Sequence, residues 1–144
     1  MEDFKKALEG ALGRKYIDII VEQVAGAPGR FDSLYTLTRH EETKIAWRAV
    51  WACEKLSILL PSLLMGKREE LMLRAMQCPH DGTRRLLLNI LHHLPVLKPV
   101  NAAFFDFCLE GMLSPAESAS GQAVCMKLAY DICLEEPELT GELE

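Results

Sequence analysis

The chain is short of most features that would mark an enzyme, a membrane protein or a β-structured domain. No stretch keeps up a period-two alternation of polar and apolar residues, and there is no Asn-Gly hairpin signal, so strands are not expected. No apolar run approaches the ~20 residues of a membrane helix; the longest, Ile58 to Met65, is broken by Pro61 and Ser62. No GxSxG nucleophile motif occurs, and the pairs Gly10/Gly13 and Gly26/Gly29 lack the strand context of a phosphate-binding loop. The five cysteines (Cys53, Cys78, Cys108, Cys125 and Cys133) are odd in number and form no CxxC pair. They read as buried free thiols of a reducing compartment. The amino terminus, MEDFKKALEG, is amphipathic and charged rather than a signal peptide, and a cytoplasmic location is expected. Basic residues are also in deficit, 16 against 21 acidic ones for a net charge of −5. That balance disfavours broad phosphate binding.

What the chain does have is helical periodicity. With 144 residues, 49% of them apolar and 26% charged, it can bury a real core without metal or disulfide. The stretch Lys44–Leu60 contains no Gly or Pro and places Ile45, Ala49, Cys53, Leu56 and Leu60 at helical spacing, so it should be largely enclosed. Arg48 lies within it, with Trp47 and Trp51 one turn apart beside it. Before this come a helix capped by Asp3 and running to about Leu12, a helix over 14–25, the turn GAPGR and a short helix over 31–39. After it come a helix over 67–76, a helix from Asp81, read as its cap, to His93, and a helix capped by Asn101 reaching Met112. Ser114-Pro115 reads as a cap and first-turn proline ahead of the last long helix, which starts at about Pro115 or Ala119 and ends near Leu134. Leu139 and Leu143 suggest a short helical cap after Pro137.

The strongest signal is a repeat. Arg48, Arg85 and Gln122 are separated by two intervals of 37 residues, and the same offset aligns Leu34, Leu71 and Cys108. It also aligns the turn residues His40, Gln77 and Ser114. Two helices per fixed period imply hairpins that bury their apolar faces only by stacking. The units LYTLTRHEETKIAWRAVWACEKL, LMLRAMQCPHDGTRRLLLNILHHL and FCLEGMLSPAESASGQAVCMKLAY resemble HEAT-type repeats, which are related to armadillo repeats. The resemblance implies an all-α, right-handed α-solenoid of stacked antiparallel hairpins with a period of about 37. It divides one domain into capping helices (1–30), repeats (31–66, 67–99 and 100–136) and a terminal stub (137–144). It also implies a ladder of turn carboxylates and second-helix cations. Arg48, Arg85 and Glu42 match its positions, Gln122 is neutral, and Asp81 and Glu117 are displaced from the position of Glu42.

In such a fold the second helices line a concave surface. The residues expected there are Trp47, Arg48, Trp51, Lys55, Arg84, Arg85 and His92, offered to a protein or peptide partner. Tryptophan and arginine are the side chains that most often anchor interfaces. The competing reading is that the indoles fill the gap between hairpins and Arg48 serves a structural ion pair. The alternative function is DNA binding, because some HEAT-like proteins are alkylpurine DNA glycosylases with a basic, tryptophan-bearing groove and a carboxylate. The acidic balance and the absence of a carboxylate clearly placed by the tryptophans weigh against it. Cys78, His80 and His40 are the metal candidates, but no second pair at zinc spacing accompanies them. Neither metal nor other cofactor is expected, and the reading is a non-catalytic interaction or scaffold module.

Overall fold

The computed structural model describes Phe4, residues 14–139 and Gly141. Apart from Phe4, the expected first helix lies outside the described residues, as does Leu143 of the expected terminal cap. Among the described residues there are seven α-helices and no strand. They are α1 (Arg14–Gly26), α2 (Phe31–Leu37), α3 (Thr43–Leu59), α4 (Arg68–Gln77), α5 (Asp81–His93), α6 (Ala102–Leu113) and α7 (Ala119–Glu135). Turns of 3₁₀ helix opening on a proline follow α1, α3 and α7, at Pro28, Pro61 and Pro137, and a further one, Met65–Lys67, leads into α4. A proline has no N–H to donate and its φ suits the first helical position, so it can both end one helix and begin a turn.

The chain divides into two compact units, Met1–Leu64 and Met65–Glu144. In the first, α1 and α2 both pack on α3. The apolar spacing dictates the contact: Ile17, Ile20 and Val24 come from α1, and Phe31, Leu34 and Leu37 from α2. They close on Ile45, Ala49, Cys53 and Leu56, all at most 1% exposed. Each fully buried aliphatic or aromatic side chain contributes about 1.5–3 kcal/mol relative to exposure. Helix α3 is less enclosed than its composition suggests. Ile58 and Leu59 are 61% and 60% exposed, although Leu56 and Ser57 in the same last turn are buried.

The second unit is a stack of two antiparallel hairpins. Helix α4 packs on α5, α6 packs on α7, α5 lies against α7, and α4 touches α6. The second helices begin at residues 43, 81 and 119, two equal intervals of 38. Start signals are local. Asn101 Oδ1 accepts from the Phe104 N–H at 3.0 Å to cap α6, and Ser118 Oγ accepts from the Gly121 N–H at 3.1 Å to cap α7. Two expected caps are corrected. Ser114 closes α6 instead of opening α7, its Oγ taking the Ala116 N–H, while Pro115 sits in the intervening turn. Asp81 is the first residue of α5, and the cap is His80, whose Nδ1 accepts from the Thr83 N–H at 3.1 Å and meets Thr83 Oγ1 at 2.8 Å. An imidazole nitrogen here does the work usually given to a Ser or Asp oxygen.

Four thiols are buried (Cys53, Cys108, Cys125 and Cys133), and none of the five cysteines is in a disulfide. Burial pushes the Cys125 thiol up to about 11, with the Glu117 carboxylate adding to the effect and Arg84 opposing it. Burial, with Cys125 nearby, raises Cys108 further. The thiolate is the reactive form, so these groups are both shielded and protonated. We expect a native-state thiol reagent at neutral pH to label Cys78 alone, and mildly alkaline buffer not to bring Cys125 into reaction. Mass spectrometry of the labelled chain checks this; modification of two or more further cysteines without denaturant would contradict it.

Candidate functional site

The expected surface residues fall on the second helix of each unit's helical pairs. On α3, Trp47 and Trp51 are four residues apart and therefore on one face. Both are half-buried, with ring centroids 5.8 Å apart and planes inclined by 29°. Trp47 Nε1 is buried and has no hydrogen-bond acceptor among the described residues. Arg48 is half-buried one position on. Lys55 extends from the next turns to Asp18 of α1, its Nζ 3.5 Å from Oδ1.

On α5 the arginines separate into different jobs. Arg84 donates through Nη2 to Asp81 Oδ1 at 2.7 Å and Glu117 Oε2 at 2.9 Å, and through Nη1 to the Cys78 carbonyl at 3.1 Å. Its side chain is only 16% exposed and that of Glu117 12%. Burial alone would pull the guanidinium down, but Asp81 and Glu117 outweigh it and hold Arg84 above its ordinary value. Arg85 instead reaches Ser120 Oγ at 3.2 Å. His92 Nδ1 sits 2.8 Å from Asp131 Oδ2, and beyond α5 Lys98 pairs with Glu135 at 2.7 Å. A polar row thus runs along the seam where α5 lies on α7.

The cation of the expected ladder is therefore Arg84 and not Arg85, and its carboxylate is Glu117. Gln122, 38 residues after Arg84, does the equivalent work in the next hairpin. Its Nε2 donates to the Ser114 carbonyl at 2.6 Å, as Arg84 does to Cys78. Cys78 and Ser114 are the residues that end α4 and α6, where carbonyls lack helical partners. The alignment at 37 is one residue short of the 38 that separates helix starts, so it places the neighbouring Arg85 in this role. A further residue was not legible as part of the site. A Cβ on Gly121 would run into the Glu117 side chain, whose Cδ and Cγ lie 2.6 and 2.7 Å from that position. Glycine there lets Glu117 lie flat across the start of α7 and reach Arg84.

Little in the arrangement supports catalysis. Asp131 also faces a pocket of about 40 Å³ lined by Met72, Leu91, Leu94, Phe104 and Ile132. That lining contains no Ser, Thr, Cys or Tyr for the His92–Asp131 pair to activate. Of the metal candidates, His80 Nδ1 is committed to Thr83, and Cys78 Sγ to the His80 carbonyl at 3.5 Å. His40 Nδ1 accepts from the Glu42 N–H at 3.1 Å. Among the described residues, no group of three or more His, Cys, Asp or Glu is placed to hold a metal ion, and no helix is long and apolar enough to cross a membrane.

The family of HEAT repeat domains matches residues 4–144, and the chain belongs to it. This is a family of generally non-catalytic modules that mediate protein interactions. No curated protein and no solved structure matches the chain.

The contact at Gly121 generates a test with a worked-out sign. Gly→Ala in a helix ordinarily gains about 0.5–1 kcal/mol. Here the added methyl displaces a half-buried carboxylate from its cation, a loss of about 1–3 kcal/mol. Gly121→Ala should therefore destabilise the chain by about 1 kcal/mol in urea unfolding. In a Glu117→Ala background the same change should stabilise it. Equal effects in both backgrounds would contradict the arrangement.

Proposed function

We propose that the chain is a non-catalytic protein–protein interaction module that binds a protein or peptide through the faces of its second helices. Trp47, Arg48, Trp51 and Lys55 present one such face on α3, and Arg84, Arg85 and His92 another on α5. The observation that carries the reading is the stacked pair of half-buried indoles on α3. Two aromatic rings side by side give a rigid apolar platform, the type of surface that anchors partner side chains. The occupation of the cations supports a protein partner over nucleic acid. Lys55, Arg84 and Lys98 each face a carboxylate of the chain itself. Charge already neutralised internally releases little counterion on meeting a phosphate backbone. A cytoplasmic setting suits the buried free thiols.

The test is photo-crosslinking from an aromatic cross-linker at Trp51, with an exposed position on α7 as control, followed by an affinity measurement with the captured protein. Trp51→Ala should weaken binding by at least about tenfold, as expected for an anchor worth more than 1 kcal/mol. Unchanged affinity would remove the α3 face from the reading. Salt-sensitive binding to duplex DNA with release of alkylated bases, abolished by Trp47→Ala or Trp51→Ala, would favour the glycosylase-like alternative in its place.

A further inference from the structure

Helix α7 has three faces. One turns to α6 and buries Cys125, Ala129 and Cys133. A second turns to α5 and carries Ser120, Asp131 and Glu135 of the polar row. The third, roughly a third of a turn from each by the 100° helical step, is apolar and open. Met126, Tyr130 and Leu134 stand on it at i, i+4 and i+8, exposed by 52%, 55% and 62%. Beside them, Met112 of α6 joins Met126, Lys127 and Tyr130 around a shallow groove. Within this unit the corresponding flank of a hairpin is covered by another hairpin, α4 and α5 against α6 and α7. A stripe of three adjacent large apolar side chains is not what a solvent-facing helix normally shows.

We propose that this face pairs with the same face of a second copy of the chain, α7 against α7 in antiparallel orientation, with Tyr130 at the two-fold axis. The stripe is self-complementary in the way an isologous interface requires. Reversing it about Tyr130 sets Met126 opposite Leu134 of the copy, and Leu134 opposite Met126. Each Leu134 then enters the groove formed by Met112, Met126 and Tyr130 of the other chain. Charge selects the antiparallel arrangement. Glu135, Glu136 and Glu138 crowd the carboxyl end of α7, and Lys127 is the helix's only basic residue. A parallel pair would bring the acidic ends together. The antiparallel pair puts them against Gln122 and Ala123 of the copy, and carries Lys127 toward its acidic half. A contact two or three turns long falls at or below the low end of the roughly 1,200–2,000 Å² buried in stable complexes. The dimer is thus reversible and dissociates on dilution. The pairing does not use the indole face of α3.

Sedimentation equilibrium over a hundredfold dilution series reads the mass directly. The chain should move from monomer toward twice its mass as concentration rises, and Leu134→Glu should remain monomeric throughout, with unchanged helical circular dichroism. Register is read by oxidation in a Cys78→Ser background. Tyr130→Cys should give a covalent homodimer. Met126→Cys alone should not, but should cross-link to Leu134→Cys in a mixture of the two. A chain that stays monomeric at every concentration would overturn the proposal and leave the face to a different partner. So would a dimer that survives Leu134→Glu, or self-cross-linking of Met126→Cys faster than that of Tyr130→Cys.

Discussion

The guanidinium of Arg84 is the point on which the second unit turns. From one turn inside α5 it holds the carbonyl that ends α4, the carboxylate at the start of its own helix, and a carboxylate 33 residues on. One side chain thereby closes a hairpin and fastens that hairpin to the next. Mostly buried charge is not automatically stabilising, because desolvation offsets much of the attraction; removing one partner nevertheless costs more than the pair contributes. Here two carboxylates and a carbonyl accept from the guanidinium, and that set of contacts fixes how α5 lies on α7. The rest of the seam follows from that placement: Arg85 meets Ser120, His92 meets Asp131, and Lys98 meets Glu135. Gly121 is the permissive element, since a Cβ there would run into Glu117 Cδ and Cγ and force the carboxylate to move.

The helical architecture was legible because apolar spacing and prolines act locally. The run from Ile45 to Leu56 announces α3, and Asn101 announces the start of α6. What was not legible depends on contacts made across the hairpins. Nothing in the type of His80 says that its Nδ1 will cap α5, since the same ring donates as readily as it accepts. Arg84 and Arg85 are neighbours, and a repeat alignment slipped by one residue suffices to exchange them. Glu117 looked displaced because the turn before α7, with Pro115 and Ala116, is built differently from the turn before α5. Its signal lay four residues on, in a glycine within the first turn of a long helix, where glycine is otherwise unfavourable. The indoles were legible as a pair on one face. How far they are exposed was not, because that depends on the packing of α1 and α2 around α3.

These arrangements bear on what the protein offers to others. Arg84 and Lys98 of the α5–α7 seam are spent on internal carboxylates, while Trp47 and Trp51 on α3 and the stripe on α7 are the large apolar surfaces left partly or largely open. The chain belongs to the HEAT repeat family, whose members generally mediate protein interactions. Net charge of this kind bears on solubility and non-specific association, not on the fold.

A double-mutant cycle on Arg84 and Glu117 tests the central claim most directly. The single variants Arg84→Met and Glu117→Gln and the double variant are unfolded in urea, and the coupling is taken from the difference between the double and the summed singles. The account predicts a coupling of about 1–3 kcal/mol, as expected for groups that share a mostly buried bond. Effects that add to within about 0.3 kcal/mol would show that the two side chains act independently. The seam between the hairpins would then need a different organising contact.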